Sequence, residues 1–382
     1  MPRYRFEDIA INSKEKVKAE KIDQSLYIGL EHLEPGCLSV KSWGSDVPIK
    51  GDKLVMHKGD VLFGKRNAYL RRAAIAPHDG AFSAHGMVLR PKENVIDSEF
   101  FPLFIASDYF FDAAIRISVG SLSPTVNWKD LKNIEFNIPP IPIQRELSKV
   151  LWAINDTKEA YRQLIQDTDE LVKSQFIEMF GDPYEVIQNS NARISDVAKV
   201  QVGIVIKPTR FYASDDKGIR AFRSLNVSPF HVKDDSEWVY FSQDGMEKNK
   251  RTIAHVGDVL VVRSGAPGTS CVVDEKHDGC NVIDLIIAHP QKSKVLPEYL
   301  CAFTNFPHGK LQIEGQSRGV AQKHFNVSMY ENMRIIVPPM EQQQKFVDFL
   351  SQSDKSKFVT CTINKLIEGM TLCLRKTIQL SR

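Results

Sequence analysis

Apolar residues recur along the middle of the chain at helical spacing over an unusual length. Leu147, Val150, Ile154, Tyr161, Leu164 and Leu171 follow one another at steps of three, four or seven, and Leu151, Ile165, Val172 and Phe176 widen the stripe. A period near 3.5 held that long predicts a coiled-coil seam more than the face of a globular helix. Pro139, Pro140 and Pro142 punctuate its start, and Gly181, Asp182 and Pro183 its end. The resulting rod is roughly 55 Å long and needs a partner. A second helical stretch offers one, with Phe346, Phe349, Leu350, Ile363, Ile367, Met370, Leu374 and Ile378 as its apolar positions. Its middle, Ser351 to Lys357, is polar and predicts a weaker or interrupted rod.

The pattern ahead of each rod repeats. Ile138-Pro139-Pro140-Ile141-Pro142-Ile143-Gln144 returns 199 residues later as Val337-Pro338-Pro339-Met340-Glu341-Gln342-Gln343. Lys58-Gly59-Asp60-Val61-Leu62 answers to Val256-Gly257-Asp258-Val259-Leu260, Gly120 to Gly319, and Asn127 to Asn326. Gly29 to Leu33 answers loosely to Arg223 to Val227, and Tyr4 to Ala10 resembles Arg193 to Ala198. One plan is therefore used twice, as a tandem duplication and not a solenoid. The expected layout is a domain over 1–140, a central helix over 141–182, a second domain over 183–338 and a C-terminal helix over 339–382.

Within the first domain, strands are predicted at Ser25–Leu30, Cys37–Lys41, Asp60–Phe63, Ala73–Ala76, Ala81–Leu89 and Ile134–Ile138. Ser98–Phe111 reads as a helix whose phenylalanines are core. The second domain predicts strands at Gly218–Leu225, Trp238–Phe241, Asp258–Arg263 and Val282–Ala288, with a helix at Pro297–Phe303. Each domain is thus α/β (mixed), with short elements and many loops.

Composition removes several classes. No stretch approaches the 18 or so apolar residues of a membrane span, and Arg3, Arg5, Glu7 and Asp8 leave no apolar leader at the amino terminus. The six cysteines form no Cys-x-x-Cys pair and no zinc spacing with histidine, so free thiols in a reducing cytoplasm are expected. A net charge of +3 does not by itself predict nucleic acid.

Catalytic patterns fail one by one. Gly59-x4-Gly64-Lys65 has the spacing of a phosphate-cradling loop, but Arg66 stands where the magnesium-binding Ser or Thr belongs. No Gly-x-Gly-x-x-Gly follows a strand. Asn137-Ile138-Pro139-Pro140 departs from the Asn-Pro-Pro-aromatic loop of adenine methyltransferases by an inserted isoleucine and a missing aromatic. Asp274-Glu275-Lys276 is a nuclease-like grouping, yet acidic and basic neighbours on a loop are usually only a solvated face. No enzyme and no metal site emerge.

What remains are basic and polar loops at matched places. Lys65, Arg66, Asn67, Arg71 and Arg72 crowd the turn after the Gly-Asp-Val-Leu strand, where the second copy has Arg263 and Ser264. Arg116, Ser118, Ser121 and Ser123 flank Gly120, while Arg318, Gln322, Lys323 and His324 flank Gly319; Arg220 and Arg223 add to the second domain. Arg, Asn, Gln and Lys read base edges, and Ser and Lys position phosphates. Recurrence in both copies favours a nucleic-acid face over a merely solvated one.

These features together resemble the specificity subunit of a type I restriction–modification system. The residues that carry the resemblance are Gly59-Asp60-Val61-Leu62-Phe63-Gly64, the two proline-led segments ending in Gln144 and Gln342-Gln343, and Ser174 to Pro183. The resemblance implies two target-recognition domains whose following helices pair as an antiparallel coiled coil with pseudo-twofold symmetry. It implies double-stranded DNA with a bipartite target, two methyltransferase subunits and restriction/translocase subunits as partners. S-adenosylmethionine, Mg and ATP are expected only on those partners and no cofactor in this chain. A coiled-coil adaptor that binds only proteins is the rival reading, and an enzyme with an unrecognised site a more distant one.

Overall fold

A computed structural model of the chain describes residues 1–213, 218–317 and 325–355. They fall into two compact units, Met1–Arg162 and 163–355, and the division lies inside the long helix.

In the first unit, an antiparallel sheet has the spatial order Ala10–Ser13, Met87–Pro91, Val61–Phe63, Ala73–Ile75. Side chains alternate across it. Val61, Phe63, Ala73, Met87 and Leu89 face the helices Phe100–Ile105 and Asp108–Arg116, in a core with Phe6, Phe101, Phe110 and Phe136. Leu62, Ala74 and Val88 face the other way and pack with Ile28, Met56 and Phe82. Those three come from a second sheet, Lys16–Val17, Lys53–Met56, Gly80–Phe82, Tyr27–Ile28. Burial on both faces is why Val61-Leu62-Phe63 is unbroken apolar sequence and not an alternating strand. Arg3–Arg5 pairs with Glu135–Asn137 and ties the start of the domain to its end.

The second unit repeats the four-stranded main sheet of this plan, with a smaller sheet of three strands where the first has four. Its main sheet runs Ala198–Val202, Leu285–Pro290, Val259–Val262, Ser270–Val272. Val259, Val261, Ile286 and Ala288 face one core, with Tyr299, Leu300 and Phe303; Leu260, Val262, Leu285 and Ile287 face the other. The smaller sheet is Val239–Phe241, Ile219–Phe222, Asn281–Val282, again closed by a parallel pair.

The repeated Gly-Asp turn has the same geometry in both units. Gly59 and Gly257 sit at φ +92° and +90°, a conformation that costs glycine nothing. Asp60 accepts from the His57 amide at 2.8 Å and Asp258 from the His255 amide at 2.8 Å, closing the turn. Each carboxylate also reaches the adjacent strand: Asp60 takes Arg90 at 2.7 Å and 3.0 Å, and Asp258 takes His289 at 2.6 Å. The apparent phosphate-loop spacing is thereby explained, because the strand Val61–Phe63 separates Gly59 from Gly64 and Lys65.

Several predicted elements are corrected. Cys37–Lys41 is not a strand and makes only an isolated bridge from Ser39 to Ile75. Ser25–Leu30 reduces to Tyr27–Ile28 between short 3-10 turns. Ala81–Leu89 divides into Gly80–Phe82 and Met87–Pro91, which belong to different sheets. The chain crosses over at Gly86, where a Cβ would lie 2.1 Å from the Phe82 ring. Val282–Ala288 divides in the same way, with Asp284 at φ +49° between Asn281–Val282 and Leu285–Pro290. Ser98–Phe111 is two helices, the second capped by Ser107. The cysteines Cys37, Cys271, Cys280 and Cys301 are buried and free.

The central helix, Ile141–Phe180, is 40 residues long, or about 60 Å. Its rotation is set where it begins. Gln144 is fully buried. Its side chain donates to the carbonyls of Val95 (3.0 Å) and Pro139 (2.7 Å) and accepts from the Asp97 amide at 2.7 Å. Gln343, equally buried, does the same with Lys294 (2.9 Å), Pro338 (2.9 Å) and the Leu296 amide (2.9 Å). One and two turns after Gln144, Ser148 and Leu151 face the first core. At the far end Val172, Phe176 and Phe180 enter the second core, where Phe176 meets Phe346, from the start of the helical run 340–355, at 5.0 Å between ring centroids. The end of one helix thus packs on the beginning of the next, the antiparallel sense.

The buried face keeps Leu151, Ile165, Val172 and Phe176 of the expected stripe and loses three of its other positions. Val150, Leu164 and Leu171 are exposed, Leu147 is partly buried on the first core, and Ile154 and Tyr161 are half-buried. Average hydrophobicity does not decide the face; the glutamine lead-in does. In the second helix Phe346 and Leu350 are buried. Its helix continues through the polar residues 351–355, and Ile363, Ile367, Met370 and Leu374 lie outside the described residues.

Gln144→Glu would place an acceptor-only carboxylate against the carbonyls of Val95 and Pro139. The expected loss is about 2–4 kcal/mol, read as a lowered denaturant midpoint, and Gln343→Glu should match it within about 1 kcal/mol. An unchanged midpoint in either variant would remove the glutamines as determinants of the helix lead-ins.

Candidate nucleic-acid interface

Two loops of the first domain, far apart in sequence, are joined through their main chains. The Asn67 amide donates to the Pro124 carbonyl at 2.7 Å, and the Val126 amide to the Lys65 carbonyl at 2.9 Å. Val119 and Thr125 exchange amide–carbonyl bonds at 3.0 Å and 2.9 Å. The join brings Lys65, Arg66 and Asn67 beside the loop that carries Ser118, Ser121 and Ser123. Arg66 crosses it directly, donating from Nη2 to Ser123 Oγ at 3.2 Å.

The side chains differ in what they are open to do. Arg71, at φ +52°, is held by Asp108 at 2.6 Å and Asp112 at 2.7 Å, with its guanidinium 6.0 Å from the Phe111 ring centroid. It fixes the loop to the helix Asp108–Arg116. Arg116 ends that helix, exposed, with Nε on the Asp112 carbonyl. Ser118 donates back to the Ile115 carbonyl, and Ser121 is exposed. Asn67 adopts φ +54°, and its Oδ1 and the Nε of Arg72 are buried without a hydrogen-bond partner.

Among the described residues, Lys65, Arg66 and Arg116 meet no carboxylate within salt-bridge distance. Burial, then the neighbouring Lys16, pushes the Lys65 amine below its ordinary range. His85, whose carbonyl accepts from the Arg66 amide at 3.2 Å, is pushed down by burial and then by Arg66, Lys65 and Lys53. Positive charges that depress one another mark a patch left without internal compensation, which suits a polyanion.

The second domain builds the same join. The Phe325 amide donates to the Arg263 carbonyl at 3.2 Å, and Arg263 Nε returns a bond to the Phe325 carbonyl at 3.2 Å. Arg263 also pairs with Asp284, and Ser264 beside it is half-buried. Arg220 is paired with Asp234 at 3.2 Å and stacked over Trp238. Arg223 donates to the Glu237 carbonyl at 3.0 Å, while its Nε is buried without a partner. Arg318, Gln322, Lys323 and His324 lie outside the described residues. The acidic loop at Asp274 is structural: Asp274 holds the buried His277 at 2.6 Å, whose other ring nitrogen lies 3.1 Å from Asp234.

Sequence reasoning finds Ser123 beside Gly120 and misses Lys16, Lys53 and His85. Lys16 and Lys53 lie in paired strands of the smaller sheet, and His85 lies at the crossover between sheets, so no local motif marks them. Only the tertiary join makes them neighbours of the basic loop.

A main sheet used twice, with a loop joined through its main chain at the same place in each copy, defines a duplicated two-domain protein. Comparison with known proteins gives that class its family. A sequence profile of the type I restriction modification DNA specificity domain matches residues 6–167 and again 191–368, and the chain belongs to that family. The type I restriction enzyme EcoDI specificity subunit of Escherichia coli is 27% identical over 161 residues, which are 41% of this chain and 35% of that protein. A putative type I restriction enzyme specificity subunit of Haemophilus influenzae is 25% identical over 255 residues, 65% of this chain and 61% of that one. The matches thus span about a third and about three fifths of those relatives. The fold is shared with a chain of the type I R-M system (TM-score 0.55, 17% identity, 98% of this chain and 96% of that one). It is shared as well with the S subunit from M. genitalium (TM-score 0.57, 9% identity, 98% and 95%).

Lys65→Ala with Arg66→Ala should weaken DNA binding. It should also flatten the salt dependence by about 0.9 for each phosphate no longer neutralised, at an unchanged unfolding midpoint. Arg71→Ala should instead lower stability by about 1 kcal/mol, its pairs being partly screened. A phosphate beside His85 raises a pKa that the free protein depresses, so binding takes up a proton. Affinity should therefore rise as pH falls through the range in which His85 takes up its proton, and His85→Ala should abolish that rise in a titration of binding against pH.

Proposed function

We propose that this chain is the sequence-reading subunit of a type I restriction–modification complex, in which each domain reads one half of a bipartite target in double-stranded DNA. The observation that carries this reading is the repetition of one scaffold with different side chains on its joined loops: Lys65-Arg66-Asn67 in one copy, Arg263-Ser264-Gly265 in the other. The shared frame presents a loop at the same place in each copy. An Arg66 without a carboxylate partner among the described residues, against an Arg263 tied to Asp284, gives the copies two different reading surfaces.

The chain itself contributes recognition and assembly, without catalysis. Two adenine methyltransferase subunits and the restriction/translocase subunits supply the chemistry, with S-adenosylmethionine, Mg and ATP bound there. The long helix Ile141–Phe180 acts as the spacer between the readers. Its exposed Val150, Leu164 and Leu171 suit partner helices better than an intramolecular seam. The complex works in the cytoplasm, where the genome is. No helix among the described residues is long and apolar enough to cross a membrane.

Mapping methylated adenines in a host with and without this gene should reveal one split motif that depends on it. Exchanging residues 1–137 for the matching domain of a relative should change one half of that motif and leave the other intact. A change in both halves, or in neither, would refute one-domain-one-half-site reading; no gene-dependent motif at all would refute the assignment.

A further inference from the structure

The loop 117–125 ends in a side chain that the domain does not use. Leu122 is 95% exposed, and Val119 beside it 65%. A leucine fully in water forgoes the gain of burial that places this residue type inside proteins. The tip is nonetheless held in place. Val119 and Thr125 bridge its base, Gly120 turns at φ +117°, Thr125 Oγ1 donates to the Ser123 carbonyl at 3.0 Å, and Arg66 braces Ser123.

The surroundings identify what covers it. Arg66 reaches the residue next to Leu122, Lys65 lies across the main-chain join, and Arg116 stands at the foot of the loop. An apolar partner surface would strand these charges. Duplex DNA satisfies both, since phosphates flank a major groove whose one apolar group is the C5-methyl of thymine. Resting on the DNA-reading function above, we propose that Leu122 is a specificity-determining residue of the first domain, packing against a thymine methyl group in the major groove of its half-site.

The test uses the full chain assembled with its methyltransferase subunits, on duplexes carrying the motif found by methylation mapping. Each thymine of the first half-site is replaced in turn by deoxyuridine, which keeps base pairing and removes only the methyl group. One replacement should weaken binding about fourfold. Leu122→Ala should bind the thymine duplex about tenfold more weakly and no longer distinguish deoxyuridine at that position, with the other half-site unaffected. Wild-type affinity in Leu122→Ala, or a thymine preference that survives the substitution, overturns the proposal. Weak binding together with a lost DNA bend and no deoxyuridine effect overturns it in favour of a wedge between bases. Lost assembly at unchanged DNA affinity overturns it in favour of a protein contact. If the wild-type complex shows no sequence-selective binding, the DNA-reading function itself falls, a result distinct from all of these.

Discussion

The architecture depends on burying a primary amide at the start of a helix. Gln144 and Gln343 each satisfy two carbonyls and one amide that would otherwise be orphaned beneath the proline lead-in. An amide suits this place because it both donates and accepts; a carboxylate of the same shape only accepts, and an apolar side chain leaves three main-chain groups unpaired. Pro139 and Pro338 fix the backbone ahead of the amide, and the helix leaves the domain with its rotation already decided. Everything downstream on that helix inherits the choice.

That inheritance explains what is legible in the sequence. The duplication, the Gly-Asp turns, the core phenylalanines and the long helix are all readable, because each rests on local chemistry repeated at nearly constant offset. The adjacent pairs Leu164-Ile165 and Leu171-Val172 are equally apolar, so the pattern alone does not choose between them; Gln144 and Ser148 set the angle that buries Val172 and leaves Leu164 and Leu171 exposed. The strands at Ala81–Leu89 and Val282–Ala288 read as single because both halves of each are apolar. Only the second sheet, whose existence the pattern does not announce, accounts for the break at Gly86 and Asp284.

The candidate interface is legible in part. Basic loops at matched positions are visible, but their division of labour is not. Arg71, Arg220 and Arg263 look like Arg66 in the sequence; carboxylates from distant segments commit them to holding loops in place. Conversely, Lys16, Lys53 and His85 join the cationic face only through strand pairing and the crossover.

The joined loops are closed mainly by amide and carbonyl groups, at Asn67–Pro124, Lys65–Val126 and Arg263–Phe325. Main-chain bonds are indifferent to which side chain each residue bears, except where proline would remove a donor. Substitutions at exposed positions of such loops fall within about ±0.5 kcal/mol in stability. If these loops read DNA as proposed, a lineage carrying this fold can wander from one DNA address to another by steps that leave its stability unchanged. Folding stability imposes little toll on that drift, and mutational robustness of the frame becomes the source of diversity in what it recognises.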